Sequence, residues 1–137
     1  MSLRDVGTVK DTTTLTLHHP ATGKPLLNAD GTPMTVVLHG PYSERYKGVL
    51  RDQQQRRMTD MGRATRTTMT PEEIDSFAND LLVSCIEDWS ITLEGDEKLP
   101  FSRDAVESVM AEFPWVKDQI NAVMGNIADF LEPPKRH

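Results

Sequence analysis

Thr70-Pro71-Glu72-Glu73 constrains the fold more than any other stretch of this chain. Thr70 reads as a helix N-cap. Pro71 takes the first helical position, where its missing N–H is no loss, and Glu73 closes a capping box from the third. Behind this start, Ile74, Phe77, Ala78, Leu81, Leu82, Cys85 and Trp89 recur at helical spacing. A helix with one such stripe needs something to pack on, so Phe77, Leu81, Cys85 and Trp89 are predicted core residues.

The rest of the chain divides around this helix. Thr12 to His19 alternates small polar and apolar side chains, with Leu15 and Leu17 on one face. Pro33 to His39 does the same with Met34, Val36 and Leu38, and the stretch between is dense in turn residues, Asp30-Gly31 above all. Residues 10–39 are therefore predicted to form a β-hairpin or small antiparallel meander. A lone hairpin is marginal in water, so it must pack on a helix or pair with another chain. After Gly40-Pro41, Ser43 is a plausible N-cap for a helix reaching about Met61, with Tyr46, Val49 and Leu50 as its apolar positions and a polar centre. Gly62 to Met69 reads as a Thr- and Arg-rich linker.

Beyond Trp89, Leu99-Pro100-Phe101 leads to Ser102 as the cap of a short helix with Val106, Val109 and Met110. Pro114 opens a last helix carrying Val116, Ile120, Val123, Met124, Ile127 and Leu131, which Pro133-Pro134 stops. Phe101, Ile120 and Ile127 join the predicted core. The predicted class is α+β, mainly α. An N-terminal β-hairpin appendage over 1–40 precedes a small bundle of about four helices over 41–132, with a short tail at 133–137.

At 137 residues the chain has one domain's worth of length. Its single cysteine cannot form an internal disulfide, which fits a reducing compartment. No apolar run is long enough to span a bilayer, and Met1 to Asp5 lacks the apolar region of a secretory signal. The formal charge of −6 disfavours a nucleic-acid coat. That charge is unevenly spread. Residues 45–68 hold seven cationic side chains against two acids, whereas residues 69–132 hold three against fifteen. A basic block beside an acidic one either packs against its neighbour or joins copies head to tail. Arg51, Arg56, Arg57, Met58 and Met61 are accordingly the predicted partner-binding residues.

Signs of catalysis are weak. There is no phosphate loop, no nucleotide-binding glycine pattern and no Cys-x-x-Cys. Cys85 sits on an apolar stripe and reads as a structural thiol. His18 and His19 point to opposite faces of a strand, so with His39 they make a poor metal set. The acids from Glu87 to Glu97 surround a turn, without the apolar pocket that general acid–base work requires. The expectation is a protein that is not an enzyme and has no catalytic residue, metal or cofactor.

Over residues 70–132 the order of motifs is specific. A predicted core helix ends in Cys85-Ile86-Glu87-Asp88-Trp89. Lys98-Leu99-Pro100-Phe101-Ser102 then opens a helix, and Phe113-Pro114-Trp115-Val116 precedes a final helix with Ile120, Ile127 and Phe130. This order resembles the tail assembly chaperones of long-tailed bacteriophages. Leu17 to Gly23 and Gly40-Pro41-Tyr42-Ser43 also look like N-terminal segments of some members. The resemblance implies a non-enzymatic factor in the host cytoplasm that binds and solubilises the tape measure protein. It would give way as the major tail tube protein polymerises, and it would be absent from the mature virion. Self-association is expected from the charge pattern, and neither a nucleic acid nor a membrane is an expected partner. The competing reading is a minor structural or tail-completion protein that uses its hairpin to extend a neighbour's sheet.

Overall fold

A computed structural model describes residues 2–63 and 68–132. The fold is α+β. A short helix α1 (Leu3–Val6) is followed by β1 (Thr8–Val9), β2 (Thr12–Thr16) and β3 (Thr35–His39). Two long helices, α2 (Glu44–Arg63) and α3 (Pro71–Ser84), come next, then β4 (Ile86–Ser90), α4 (Arg103–Glu112) and α5 (Pro114–Met124). A 3-10 helix (Ile127–Phe130) and β5 (Leu131–Glu132) close the described chain.

The hairpin forms, with Leu15 opposite Val36 and Thr13 opposite Leu38. Period-two alternation places Val36 and Leu38 in the core, 1% and 0% exposed. The tip is a turn at Asp30-Gly31, where Gly31 takes φ of +87° and donates its N–H to Asn28 O at 2.9 Å. Thr32 donates both its N–H and its hydroxyl to the Asp30 carboxylate, at 3.0 and 2.6 Å, and Lys98 reaches the same group at 3.3 Å. These donors, Thr32 first, hold the Asp30 carboxyl down at about 2. A depressed carboxylate keeps its contacts at all pH above its unfolded value and loses them only as pH falls through about 2. In an NMR titration the Asp30 carboxyl carbon should show a midpoint near 2, and Thr32→Val should move it up toward the ordinary range.

The hairpin is not a free appendage. The sheet has the order β2-β3-β4, and β3 pairs antiparallel with both neighbours. The core follows this arrangement: Leu17, Val36 and Leu38 cluster with Leu82, Val83 and Ile86, and with Val106, Val109, Val116 and Ile120. It thus runs across residue 40.

The predicted helix running to Trp89 is corrected at its end. The capping box at Thr70 is present, with Glu73 N–H donating to Thr70 Oγ1 at 3.2 Å. However, α3 stops at Ser84, and Cys85 caps it by donating its N–H to Leu81 O. The next five residues pair with β3, Val36 opposite Trp89 and Leu38 opposite Ile86, across an irregularity at Val37/Leu38. Backbone pairing with a central strand satisfies both sides of β3, which a longer helix would leave bare. The last helix is also shorter than predicted. It ends at Met124 before Gly125, and the chain turns so that Phe130, 0% exposed, packs on Gly40.

Cys85 and Ile120 are 0% and 1% exposed. Phe77, Leu81 and Trp89 are half-buried, and Phe101 is 39% exposed. Phe101 is instead the edge-on lid of Trp89, with ring centroids 5.6 Å apart, while Trp89 Nε1 donates to Leu99 O at 2.9 Å. The side chains of Met61 and Ile127, part of the linker at 64–67, and the tail at 133–137 lie outside the described residues.

Helices α2 and α3 pack on each other. Ser43 starts α2 as expected, accepting from Tyr46 N at 3.2 Å and donating to Gly40 O at 2.6 Å. α3 packs on α4 and α4 on α5. No helix among the described residues is long and apolar enough to cross a membrane.

Candidate functional site

Three separate parts of the chain meet in an open cleft of about 330 Å³. The hairpin and its loop supply Leu17, Pro20, Leu26 and Met34. The segment leaving β4 supplies Ile91 and Leu93, and the α4–α5 joint supplies Val109, Phe113, Trp115 and Val116. The floor is buried, with Leu17 at 2% and Val109 and Val116 at 4%, whereas Leu93 on the rim is 41% exposed. Pro114 opens α5 directly behind Phe113. Two helices joined with so short a link bring Phe113 and Trp115 edge to face, 6.0 Å apart. An open cleft with this lining suits apolar side chains presented by a helix.

The loop wall is fastened by two polar anchors that the sequence pattern does not reveal. Asn28, 4% exposed, lies in the loop between β2 and β3. Its Nδ2 reaches Pro33 O and Ser90 Oγ at 3.2 Å and Ser90 O at 3.3 Å, and its Oδ1 accepts from Thr92 Oγ1 at 2.8 Å. Gln119 on α5 pairs with the His18 backbone like a strand residue, accepting from His18 N at 2.9 Å and donating to His18 O at 2.7 Å. Both are ordinary polar residues in sequence, and only the folded chain brings their partners within reach. His19 Nδ1 accepts from Ala21 N and Thr22 N, tightening the turn at the cleft rim.

The predicted partner-binding residues lie elsewhere, along α2, and among those whose side chains are described (Arg51, Arg56, Arg57 and Met58) none lines the cleft. Arg56 is engaged within the chain. Its Nη2 is 3.3 Å from Asp80 Oδ2, and its guanidinium lies 6.0 Å from the Phe77 ring centre. Gln53, 7% exposed, donates to Phe77 O at 2.7 Å and to Asp80 Oδ2 at 3.1 Å. Arg103 pairs with the other Asp80 oxygen. Partial burial pushes the Asp80 carboxyl up, but Gln53, Arg103 and Arg56 together outweigh it and hold it below its usual value. Arg56 thus follows the intramolecular reading of the basic block. Arg51 and Arg57 remain exposed, with Arg57 Nη1 3.5 Å from Met69 Sδ, and Met58 is 71% exposed. Arg56→Ala should cost under about 1 kcal/mol in a denaturant melt, because the pair is largely solvated and Asp80 keeps two other donors.

A larger groove of about 560 Å³ runs between α3 and α4, but Asp80, Arg103, Glu107 and Lys117 line it. Its charges are largely matched: Arg103 also pairs with Glu107 at 3.3 Å. Burial pushes the Cys85 thiol up to about 11, so it stays protonated at neutral pH. Among the described residues, no group of three or more His, Cys, Asp and Glu side chains is placed to hold a metal. The apolar cleft is therefore the candidate site. Comparison of the chain with protein-family models, curated proteins and solved structures gives no match.

Proposed function

We propose that this chain is a tail assembly chaperone of a long-tailed bacteriophage. It binds apolar helical stretches of the tape measure protein in the host cytoplasm and keeps them soluble. It yields them as the major tail tube protein polymerises, and it is left out of the mature virion. One observation carries the reading. The segments that resemble the chaperone family sit together in the fold, and one of them, Phe113-Pro114-Trp115, forms a wall of the apolar cleft. Trp89 and Leu99 from the other two segments pack against the same core as Phe113 and Trp115, and Phe101 packs edge-on against Trp89.

Binding follows the helix-in-groove mode. An amphipathic segment of the client lays side chains spaced three and four apart into the cleft, and burial of their apolar surface drives association. The acidic excess of residues 69–132 then acts between coated complexes, whose mutual repulsion opposes aggregation.

The competing reading, sheet extension in a virion component, has less to work with. β3 is paired on both sides. The outer side of the β2 region is engaged by the 3-10 helix, through Thr13 Oγ1 to Asp129 O at 2.9 Å and Lys10 N to Phe130 O at 2.6 Å. β4 has one partner in the sheet and carries exposed Glu87 and Asp88, the kind of charge that discourages edge pairing.

Co-expression with the tape measure protein tests the proposal. The client should become soluble and co-purify with this chain, and Leu93→Asp should remove most of the co-purification while leaving the circular dichroism spectrum unchanged. A tape measure protein equally soluble without the chain, or the chain found in purified particles, would overturn it.

A further inference from the structure

Taking the cleft as the client site, we propose that protonation of His19 on its rim controls how firmly it holds an apolar group. The cleft binds while the imidazole is neutral and lets go as pH falls. His19 Nδ1 accepts from Ala21 N at 3.1 Å and from Thr22 N at 3.2 Å. Two N–H donors on one ring nitrogen require a bare lone pair there, so the neutral ring carries its proton on Nε2. The imidazole is thus a fastening of the turn from His19 to Lys24. Main-chain bonds close the same turn: His19 N donates to Lys24 O and Gly23 N to His19 O, both at 2.8 Å. Leu17 and Leu26 stand on either side of this turn, with Leu26 N donating to Leu17 O at 2.9 Å. His19 and Pro20 extend the wall they form to the rim of the cleft.

A second proton on the ring undoes this arrangement. Imidazolium has an N–H at both nitrogens, so Nδ1 then points a donor at two donors and the turn loses its side-chain fastening. His19 is exposed, so solvent protons reach it. The same proton places a positive charge on a lining that otherwise has none, because His19 alone among the lining residues is ionisable. An apolar group covering the ring must then strip water from a cation. Both effects have one sign: binding is favoured above the titration of the ring and lost below it. The neighbouring charges do not cancel it. On the same loop His18 and Lys24 are exposed, and Gln119 holds the backbone of His18 rather than its ring. The segment leaving β4 and the α4–α5 joint bring no ionisable side chain to the lining. Lys98, bridged to Thr92, pairs with Asp30 at 3.3 Å, and Glu94, Glu112 and Asp118 are exposed.

Titration with phenylnaphthylamine, an uncharged dye that fluoresces in apolar surroundings, tests this on the full chain. The wild type should bind the dye at pH 8 and lose roughly tenfold in affinity by pH 5, the factor that one or two lost hydrogen bonds correspond to. Leu93→Asp should remove dye binding at both values. His19→Asn offers its side-chain oxygen to the same two amides and has nothing to titrate, so its affinity should be the same at pH 8 and pH 5. His18→Asn should keep the pH dependence of the wild type. NMR of the wild type gives a reading that needs no variant. At pH 8 the His19 ring should carry its proton on Nε2. As pH falls, the amide signals of Ala21 and Thr22 should move with the ring signals and with the loss of dye, while the circular dichroism spectrum stays that of the folded chain.

A wild type that takes no dye, an affinity equal at both pH values, or a His19→Asn variant as sensitive to pH as the wild type would each overturn the proposal. So would dye lost while the Ala21 and Thr22 amides stay in place. Client co-purification separates it from the chaperone reading. If the tape measure protein co-purifies at pH 8 and is held as firmly at pH 5, only the control by His19 falls. If the dye responds as expected but no client is carried at either pH, the chaperone reading falls and the switch stands.

Discussion

Phe130→Ala should lower stability by about 3–5 kcal/mol, the range for emptying a buried aromatic site, and reduce the Tm by roughly 10–20 °C. Phe130 is 0% exposed, and its ring lies so close to Gly40 that a Cβ there would stand 2.6 and 2.7 Å from two ring carbons. The backbone holds the same place: Phe130 O accepts from Lys10 N at 2.6 Å, and Gly40 N donates to Asp11 O at 2.7 Å. One ring therefore locks the C-terminal segment over the point where β3 turns into α2. A paired substitution makes the mechanism testable. Gly40→Ala alone should cost about 1–3 kcal/mol, because the new methyl meets a ring with no room to retreat. In the Phe130→Ala background the same methyl enters empty space, and its cost should largely vanish. Additive losses in thermal melts of the two single variants and the double variant would show that the ring and the glycine do not act on each other.

Gly40 and Phe130 also mark where reading the chain stops short. The beginnings of α3 and α4 are legible because their signals are local: Thr70 and Ser102 each cap the helix that follows within three residues. The hairpin is legible because alternation of Leu15, Leu17, Val36 and Leu38 needs no knowledge of a partner. Ile86–Ser90 is not. Five residues with apolar groups at both ends satisfy a helical stripe as well as a strand, and what decides between them is β3, about fifty residues earlier in the chain. The stretch after Gly125 fails for the same reason, since Ile127 and Leu131 fit the helical period and the pull of Gly40 on Phe130 is invisible in a local window. The cleft is harder still. Phe113 and Trp115 are conspicuous around Pro114, but Leu26, Met34 and Leu93 become one surface only after the sheet and the α4–α5 joint have formed. The basic block is legible as charge, while the capture of Arg56 by Asp80 depends on how α2 and α3 align.

Replacing Asn28 is expected to damage stability and binding together. Its side chain ties the β2–β3 loop to the end of β4, and this tie sets the loop wall, with Leu26 and Met34, against Ile91 and Leu93 across the cleft. Asn28→Ala leaves the Ser90 and Pro33 carbonyls and the Thr92 hydroxyl short of a partner, a loss of about 2–3 kcal/mol for a buried polar cluster. Among the described residues every buried side-chain nitrogen and oxygen has a partner, so the variant creates a defect where none exists. Asn28→Asp is the sharper probe. It is nearly isosteric and keeps an acceptor for Thr92, but it replaces a donor with a carboxylate facing the carbonyls of Pro33 and Ser90. Burial beside two acceptors favours the protonated form. The added loss should therefore be largest at neutral pH and shrink as pH falls and the carboxyl becomes a donor again, whereas the alanine variant's loss should keep the same size. Denaturant melts of both variants at pH 4 and pH 7.5 read this difference directly, and a pH-independent loss in Asn28→Asp would mean that its amide nitrogen does not hold the loop. Because the wall moves with the loop, either variant should also, on the proposed chaperone reading, carry less tape measure protein at a temperature where it remains folded. A change at a residue outside the cleft lining would then register in both measurements, as a wall held in place by one buried amide requires.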